Sequence, residues 1–283
     1  MPPLQCLRAY DTAMQFGNCS VIPAKSEHAV VGAVFVLELA ARISEEKIKA
    51  IATAYRDRDD LKVLLPKLSR SENFSMRVTP GAATRPTSGS RSLRLERFAP
   101  DGNPVLELSV GGEAVMFTSN DYQRWSIDWP QAREVFTWLV PYLTPAPGIR
   151  VFGLQYVDEF YINGEVNAFR GEMLFKDGLL PTQLLTKEGR WHCHTGWFDP
   201  GPQGGERLLT NANINVLARG DRHVVQITTA QRFIQAAAIQ DAHAAGNRIA
   251  NAFDELHVWH KQVLRRLLTT QAQESIHLEP SDA

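Results

Sequence analysis

Three groups of residues have the types and spacing for chemistry. The first is Trp191-His192-Cys193-His194. On a strand, His192 and His194 share one face and Cys193 takes the other. Two imidazoles at that spacing can begin a zinc site, but zinc wants four ligands and no spacing marks the rest. Exposed strand histidines are the simpler expectation. The second group is Asp254, His257, His260 and Lys261. Steps of three make these near neighbours on a helix. The spacing is not that of His-Glu-x-x-His, and His260 falls within an apolar stripe, so a hydrogen-bonded core histidine is expected there, with a metal or acid–base role as the alternative. The third is Asp158-Glu159. Adjacent strand residues point to opposite faces and cannot share a proton or a metal. Asp158 lies on an otherwise apolar face, where a buried carboxylate needs a cation or a donor. A structural ion pair is expected, and a general base is the alternative.

Basic residues form two clusters. Arg70, Arg77, Arg85, Arg91, Arg94 and Arg97 outnumber Glu72 and Glu96 in one, and Lys261, Arg265 and Arg266 form the other. On a shared surface, Arg85, Arg91, Arg94, Lys261, Arg265 and Arg266 would follow a phosphate backbone. The formal net charge of −1 favours ordinary solvated faces instead. Phosphate loops of the Gly-x-x-x-x-Gly-Lys type and Gly-x-Ser-x-Gly elbows are missing from the sequence. The sequence therefore names no catalytic residue, metal or cofactor. Asp158, His257 and His260 remain as candidates for a ligand site or a polar core. The dense set Tyr122, Trp125, Trp129, Phe136, Trp138 and Tyr142 is expected in the core or at an interface.

The elements that must position these residues follow from periodicity. Residues 149–162 alternate as a long strand, with Phe152, Leu154, Tyr156, Asp158, Phe160 and Ile162 on one face. Asn163-Gly164 predicts a hairpin-type turn after it. Val30 to Leu39 predicts a central buried strand. Ser44 predicts the N-cap of a helix with Ile48, Ile51, Ala52 and Tyr55 as its stripe, ending in a charged turn at 56–60. Strands are expected at 73–79, 92–98, 104–110 and 113–119, the last three as an antiparallel meander, with a flexible loop at 80–90. A helical element is expected within 125–143, its apolar side at 131–143, with Pro130 in the first turn and Pro141 breaking or kinking it. Further strands are expected at 169–175, 190–198, 207–218 and 222–229. A small-residue segment at 236–245 should lead into a long amphipathic helix carrying Ile249, Phe253, Leu256, His260, Val263, Leu264, Leu267 and Leu268.

This pattern predicts an α+β fold, antiparallel sheet with helices on one face and a long C-terminal amphipathic helix. Two α+β halves, 1–148 and 149–270, are expected, joined or continuous, with a polar, frayed tail at 271–283. The 283 residues and 44% hydrophobic content suffice for a substantial core. Three cysteines, Cys6, Cys19 and Cys193, give no disulfide framework and fit a reduced cytoplasmic setting, although Cys6 and Cys19 could pair under oxidising conditions. The sequence shows no signal peptide, and its longest apolar run, 29–37, is too short to span a bilayer, so no membrane association is expected.

At Gly153-Leu154-Gln155-Tyr156-Val157-Asp158-Glu159-Phe160 the chain resembles a sporadically distributed bacterial family of unknown function, whose central strand reads roughly Gly-Leu-Arg-Tyr-Ile-Asn-Arg-Ile. The early strand at 30–39, the phrase at 115–119, the aromatic helix and Phe253 to His257 are similar in order. Gln155, Asp158 and Glu159 depart from the family's Arg, Asn and Arg. The resemblance implies no activity, cofactor or catalytic residue, and the family's patchy distribution is like that of defence and mobile-element genes. The leading expectation is a non-catalytic protein-interaction module, bacterial and cytoplasmic, in an anti-phage defence or mobile-element system. Its partner would be a protein, including a second copy of the chain. The alternatives are a nucleic-acid-binding component of such a system, and an enzyme or small-ligand-binding protein with a pocket between the sheet and the last helix.

Overall fold

The computed structural model describes residues 14–16, 19–76, 86–220 and 222–278. Its strands are β1 (Met14–Phe16), β2 (Cys19–Pro23), β3 (Val30–Leu39), β4 (Lys67–Met76), β5 (Pro86–Phe98), β6 (Pro104–Gly111), β7 (Ala114–Ser119), β8 (Ile149–Gly164), β9 (His192–Pro200), β10 (Arg207–Arg219) and β11 (Arg222–Ile239). Its helices are α1 (Glu45–Ala54), α2 (Asp59–Leu64), α3 (Trp125–Leu143), α4 (Thr182–Leu185), α5 (Ala242–Leu267) and α6 (Thr270–Ser275). Among the described residues the strands form one eleven-stranded sheet in the order β4-β5-β6-β7-β3-β8-β11-β10-β9, with β1 paired to β2 and β2 to β8. Its pairings are antiparallel. This is the α+β architecture that the sequence pattern implied. The two sequence halves share the sheet through the β3–β8 ladder, in which Phe35 stands opposite Leu154 and Leu37 opposite Phe152.

One sheet face carries the helices. On β3, Ala33, Phe35, Leu37 and Leu39 alternate inward. On β8 the inward set is Phe152, Leu154, Tyr156, Asp158, Phe160 and Ile162, all buried. The apolar side chains fall into two cores. The first gathers Phe35, Leu37, Phe117, Phe136, Phe152, Leu154, Phe253 and Leu256. The second gathers Phe160, Ile162, Phe175, Val225, Ile227, Leu264, Leu267 and Leu268. Residues of α5 enter both cores. At 26 residues it is ~39 Å long, enough to bridge the two.

Local chemistry explains where the elements begin and end. Ser44 caps α1, accepting from the Lys47 N–H at 3.3 Å. Asp241 caps α5, accepting from the Ala244 N–H at 2.8 Å. Ahead of α5, 236–239 continue β11, so only the later part of the small-residue segment is helical. α3 begins at Trp125, ahead of the apolar side at 131–143, and continues past both Pro130 and Pro141. Its start is held from within: the Asp128 carboxylate accepts the backbone N–H of Gln123 at 3.0 Å and of Arg124 at 3.2 Å, and also the Ser119 hydroxyl. Those bonds satisfy donors that a helix start otherwise leaves open.

Several expected elements differ. Asn163-Gly164 does not make a hairpin, because β8 takes β2, β3 and β11 as neighbours and the chain then leaves the sheet. The expected strand at 169–175 is instead a short 3₁₀ turn at Gly171–Met173. A Cβ at Gly171 would stand 2.5 Å from the Leu184 carbonyl oxygen, a close packing against α4 that only glycine permits. β4 starts earlier than predicted, and β5 takes in 86–90 of the expected loop; 77–85 lie outside the described residues. Past Leu267 the chain is not frayed through Leu278. α6 packs Ala272 into the second core, Ile276 just after it does the same, and Lys176 donates its N–H to Leu267 O at 2.9 Å.

Candidate functional site

Between the two cores runs a seam of polar side chains drawn from three elements. On the inward face of β8, Phe152, Leu154 and Tyr156 belong to the first core, Phe160 and Ile162 to the second, and Asp158 lies between them. On α5, Phe253 and Leu256 belong to the first core and Leu264 and Leu267 to the second, with His257 and His260 between. On β11 the same step falls at Thr229, which the β8–β11 register sets opposite Tyr156. A strand period of two and a helix period near four have thus brought polar positions to one level of the molecule.

The contacts are specific. The Tyr156 hydroxyl is 2.9 Å from His257 Nδ1, and the Thr229 hydroxyl 2.8 Å from His260 Nδ1. The Tyr156 and His260 rings lie 4.1 Å apart, centroid to centroid. Trp125 stacks flat on His257 at 4.2 Å and donates its indole N–H to Asp254 at 3.1 Å. Tyr122 stands edge-on to Tyr156 at 5.5 Å. His260 Nε2 is 4.0 Å from Asp158 Oδ2, beyond hydrogen-bond range. Neither Asp158 oxygen has a hydrogen-bond partner among the described residues, and the residue is only 1% exposed.

Tyr122, Trp125, Tyr156, Asp158, His257 and His260 line a cavity of about 530 Å³ between the sheet and the C-terminal half of α5. Ala29 and Val30 at the start of β3 form part of its wall, with Tyr122, Arg124 and Trp125 from the start of α3. Leu264, Ile276 and Leu278 add an apolar side. Glu27 and Arg124, which pair with each other, lie at the rim with the exposed Lys261 and His277. Asp128, by fixing the turn before α3, also fixes the Tyr122–Trp125 wall.

Burial sets the protonation states. Desolvation raises the Asp158 carboxyl to about 7. Desolvation also lowers His257 to about 3, helped by the Lys261 charge. His260 is held well below its ordinary value by burial, then by His257 and Lys261. The Tyr156 phenol is pushed well above its usual value, mainly by burial. At neutral pH the site therefore presents two uncharged imidazoles, neutral phenols and a carboxyl close to half-ionised. Thr229, His260 and Asp158 have the residue types of a hydrolytic triad. Thr229 is wholly buried, however, and the histidine–carboxylate link is too long, so the arrangement does not supply an accessible nucleophile.

The structure brings Asp158, His257 and His260 to one pocket. The cation expected beside Asp158 is absent: among the described residues no Lys or Arg nitrogen lies within ion-pair distance, and the neighbouring His260 is neutral. Glu159 points to the opposite face, where it pairs with Arg219 at 2.6 Å and accepts from Gln226 at 2.9 Å. His192 and His194 are exposed on β9, at the edge of the sheet. Among the described residues no group of three His, Cys, Asp or Glu side chains is placed to hold a metal ion.

Among the described residues, Arg94 is not brought together with Lys261, Arg265 and Arg266. Arg94 alternates with the inward-facing Leu93 and Leu95, so it points away from the helices and lies beside Glu107 at 3.5 Å. Lys261, Arg265 and Arg266 are on α5, over the other face and across β8 and β11. Arg266 lies 5.6 Å over the Trp197 ring. Arg77, Arg85 and the side chain of Arg91 lie outside the described residues. Thr229 was not recognised as a site residue from sequence, because only strand pairing sets it beneath His260. Tyr156 was recognised as core, but its place two residues before Asp158 on the same face was the available signal. Comparison of the chain with protein-family models, curated proteins and solved structures finds no match. No helix among the described residues is long and apolar enough to cross a membrane.

Proposed function

We propose that this protein binds a small organic ligand in the seam pocket, with Asp158 as the group that recognises it. The observation that carries this reading is the Asp158 carboxyl: wholly buried, in the wall of a cavity, with both oxygens lacking a hydrogen-bond partner. An unpaired buried polar group costs stability and is rarely kept in a packed core without a role. The pocket also has the makeup of small-molecule sites, with aromatic and aliphatic walls and a few convergent polar groups. Binding without covalent chemistry fits the buried Thr229.

Ligand-observed NMR with a library of small polar aromatic fragments tests this reading. Half-buried Leu278 lines the pocket at the margin of the second core, so Leu278→Trp should obstruct the pocket, with thermal unfolding checking that the fold is kept. Hits that bind the native chain and vanish with Leu278→Trp support the proposal. An absence of hits, or hits that survive the substitution, would favour the alternative of a protein-interaction module in a bacterial defence or mobile-element system.

A further inference from the structure

The chemistry around Asp158 narrows the ligand. A carboxylate with two free oxygens is matched by a flat group carrying two adjacent N–H donors, since parallel N–H···O bonds satisfy both. Guanidinium ions and guanine-type bases offer that edge. The surroundings separate the two. The Lys261 charge reaches both histidines, lowering His257 and His260, and those imidazoles are themselves neutral. A ligand cation would share the pocket with the Lys261 charge, and of the two carboxylates in the lining only Asp158 is unpaired, Glu27 being held by Arg124. A neutral base avoids that cost, and the rings of Tyr122, Trp125, Tyr156 and His257 suit a planar heterocycle. At the rim, Lys261 is exposed and has no carboxylate within ion-pair distance among the described residues. It can take an anionic group attached to the ring. A cavity of about 530 Å³ lies within the ordinary range for ligands of nucleotide size.

We propose that the pocket binds a guanine nucleotide, the base placing its N1–H and 2-amino group on the two oxygens of Asp158 and its phosphate reaching Lys261. This rests on the ligand-binding reading above and specifies it. The Asp158 oxygens are closed to solvent, so the base reaches them with local side-chain rotation in the pocket wall. The two charge-assisted bonds would then satisfy the acceptors that the protein leaves open.

Isothermal titration calorimetry of the full chain, slightly above neutral pH, decides the matter with guanosine, inosine and xanthosine monophosphates. Inosine keeps N1–H but lacks the amino group, and it should bind at least about tenfold more weakly than guanosine monophosphate. Xanthosine replaces the amino group with a carbonyl and should not bind the native chain. Asp158→Asn should reverse the order, because an amide can donate to that carbonyl while still accepting from N1–H. Lys261→Ala should weaken guanosine monophosphate more than guanosine. If Asp158→Asn fails to fold, the contrast between guanosine and inosine nucleotides on the native chain still decides. Equal affinity for those two, no affinity for guanosine monophosphate, or undiminished guanosine monophosphate binding by folded Asp158→Asn would overturn the assignment. If fragments blocked by Leu278→Trp still bind while guanosine monophosphate does not, the guanine assignment falls and the pocket reading stands. Failure of both removes both.

Discussion

Asp158→Asn offers the most direct physical test of the seam. In the unfolded chain the carboxyl should titrate near its ordinary 3.8, and in the fold at about 7. The sign follows from proton counting. Below the unfolded value both states hold the proton and the carboxyl imposes no ionisation penalty. As pH rises from about 4 to about 7, the unfolded state releases the proton first, so the fold loses stability at ~1.4 kcal/mol per pH unit. Above about 7 the loss levels off at roughly 4 kcal/mol. His257 and His260 act in the opposite sense: both are neutral in the fold, so stability falls as pH drops below their ordinary 6.5. A raw pH profile mixes these effects, whereas the difference between the native chain and Asp158→Asn isolates the carboxyl. The amide adds a pH-independent cost of about 1–3 kcal/mol for its own unpaired groups. Urea unfolding at a series of pH values should give a difference curve that slopes between about pH 4 and 7 and flattens above. Because the curve counts protons, it is the same whether the retained proton sits on Asp158 or on His260. A flat difference curve would refute the claim that Asp158 is buried without a partner.

Tyr156→Phe removes the hydroxyl beside His257 Nδ1, leaving that half-buried nitrogen without its partner; a loss of about 1 kcal/mol is expected in urea unfolding. Arg248 pairs with Glu206 at 2.9 Å, both nearly closed to solvent, and lies over Phe152 and Phe233. Arg248→Ala should cost about 3–5 kcal/mol by stranding Glu206, whereas Arg248→Met combined with Glu206→Gln should recover much of it, both measured by thermal unfolding. Gly171→Ala places a methyl against the Leu184 carbonyl and should destabilise by about 1–3 kcal/mol, with the largest increase in hydrogen exchange around α4.

The fold class was legible because its signals are local. Alternation on β3 and β8, the Ser44 cap and the stripe of α5 survive any tertiary arrangement. The 3₁₀ turn at 171–173 was not legible, since its cause is the long-range approach of Gly171 to Leu184. The turn before α3 depends on Asp128 reaching back to Gln123 and Arg124, a bond that periodicity does not encode. For the site, Asp158 was visible as a polar residue on an apolar face, and His260 as one in an apolar stripe. What joins them is the β8–β11 register and the angle at which α5 crosses both strands, and neither quantity is written in residue spacing.

The seam also changes what Asp158 and His260 mean. A buried polar residue paired within a single core is a structural device. Here the polar positions of β8, β11 and α5 fall at one level, and the bonds they make are incomplete. Gln231, on the same face of β11 and wholly buried, lacks partners for its side-chain oxygen and nitrogen, as Asp158 lacks them for both oxygens. Each such group costs about 1–3 kcal/mol, and same-shape apolar replacement of buried polar groups is often neutral or stabilising. Gln231→Met should therefore raise stability or leave it unchanged in urea unfolding. Asp158→Leu, above neutral pH, should raise it by more, because it also removes an ionised buried carboxyl. If both substitutions stabilise the chain while Asp158→Leu abolishes binding in the pocket, the carboxyl is retained for recognition at the expense of stability. If Asp158→Leu destabilises the chain at every pH, the seam is a structural network after all, and the case for the pocket loses its main support.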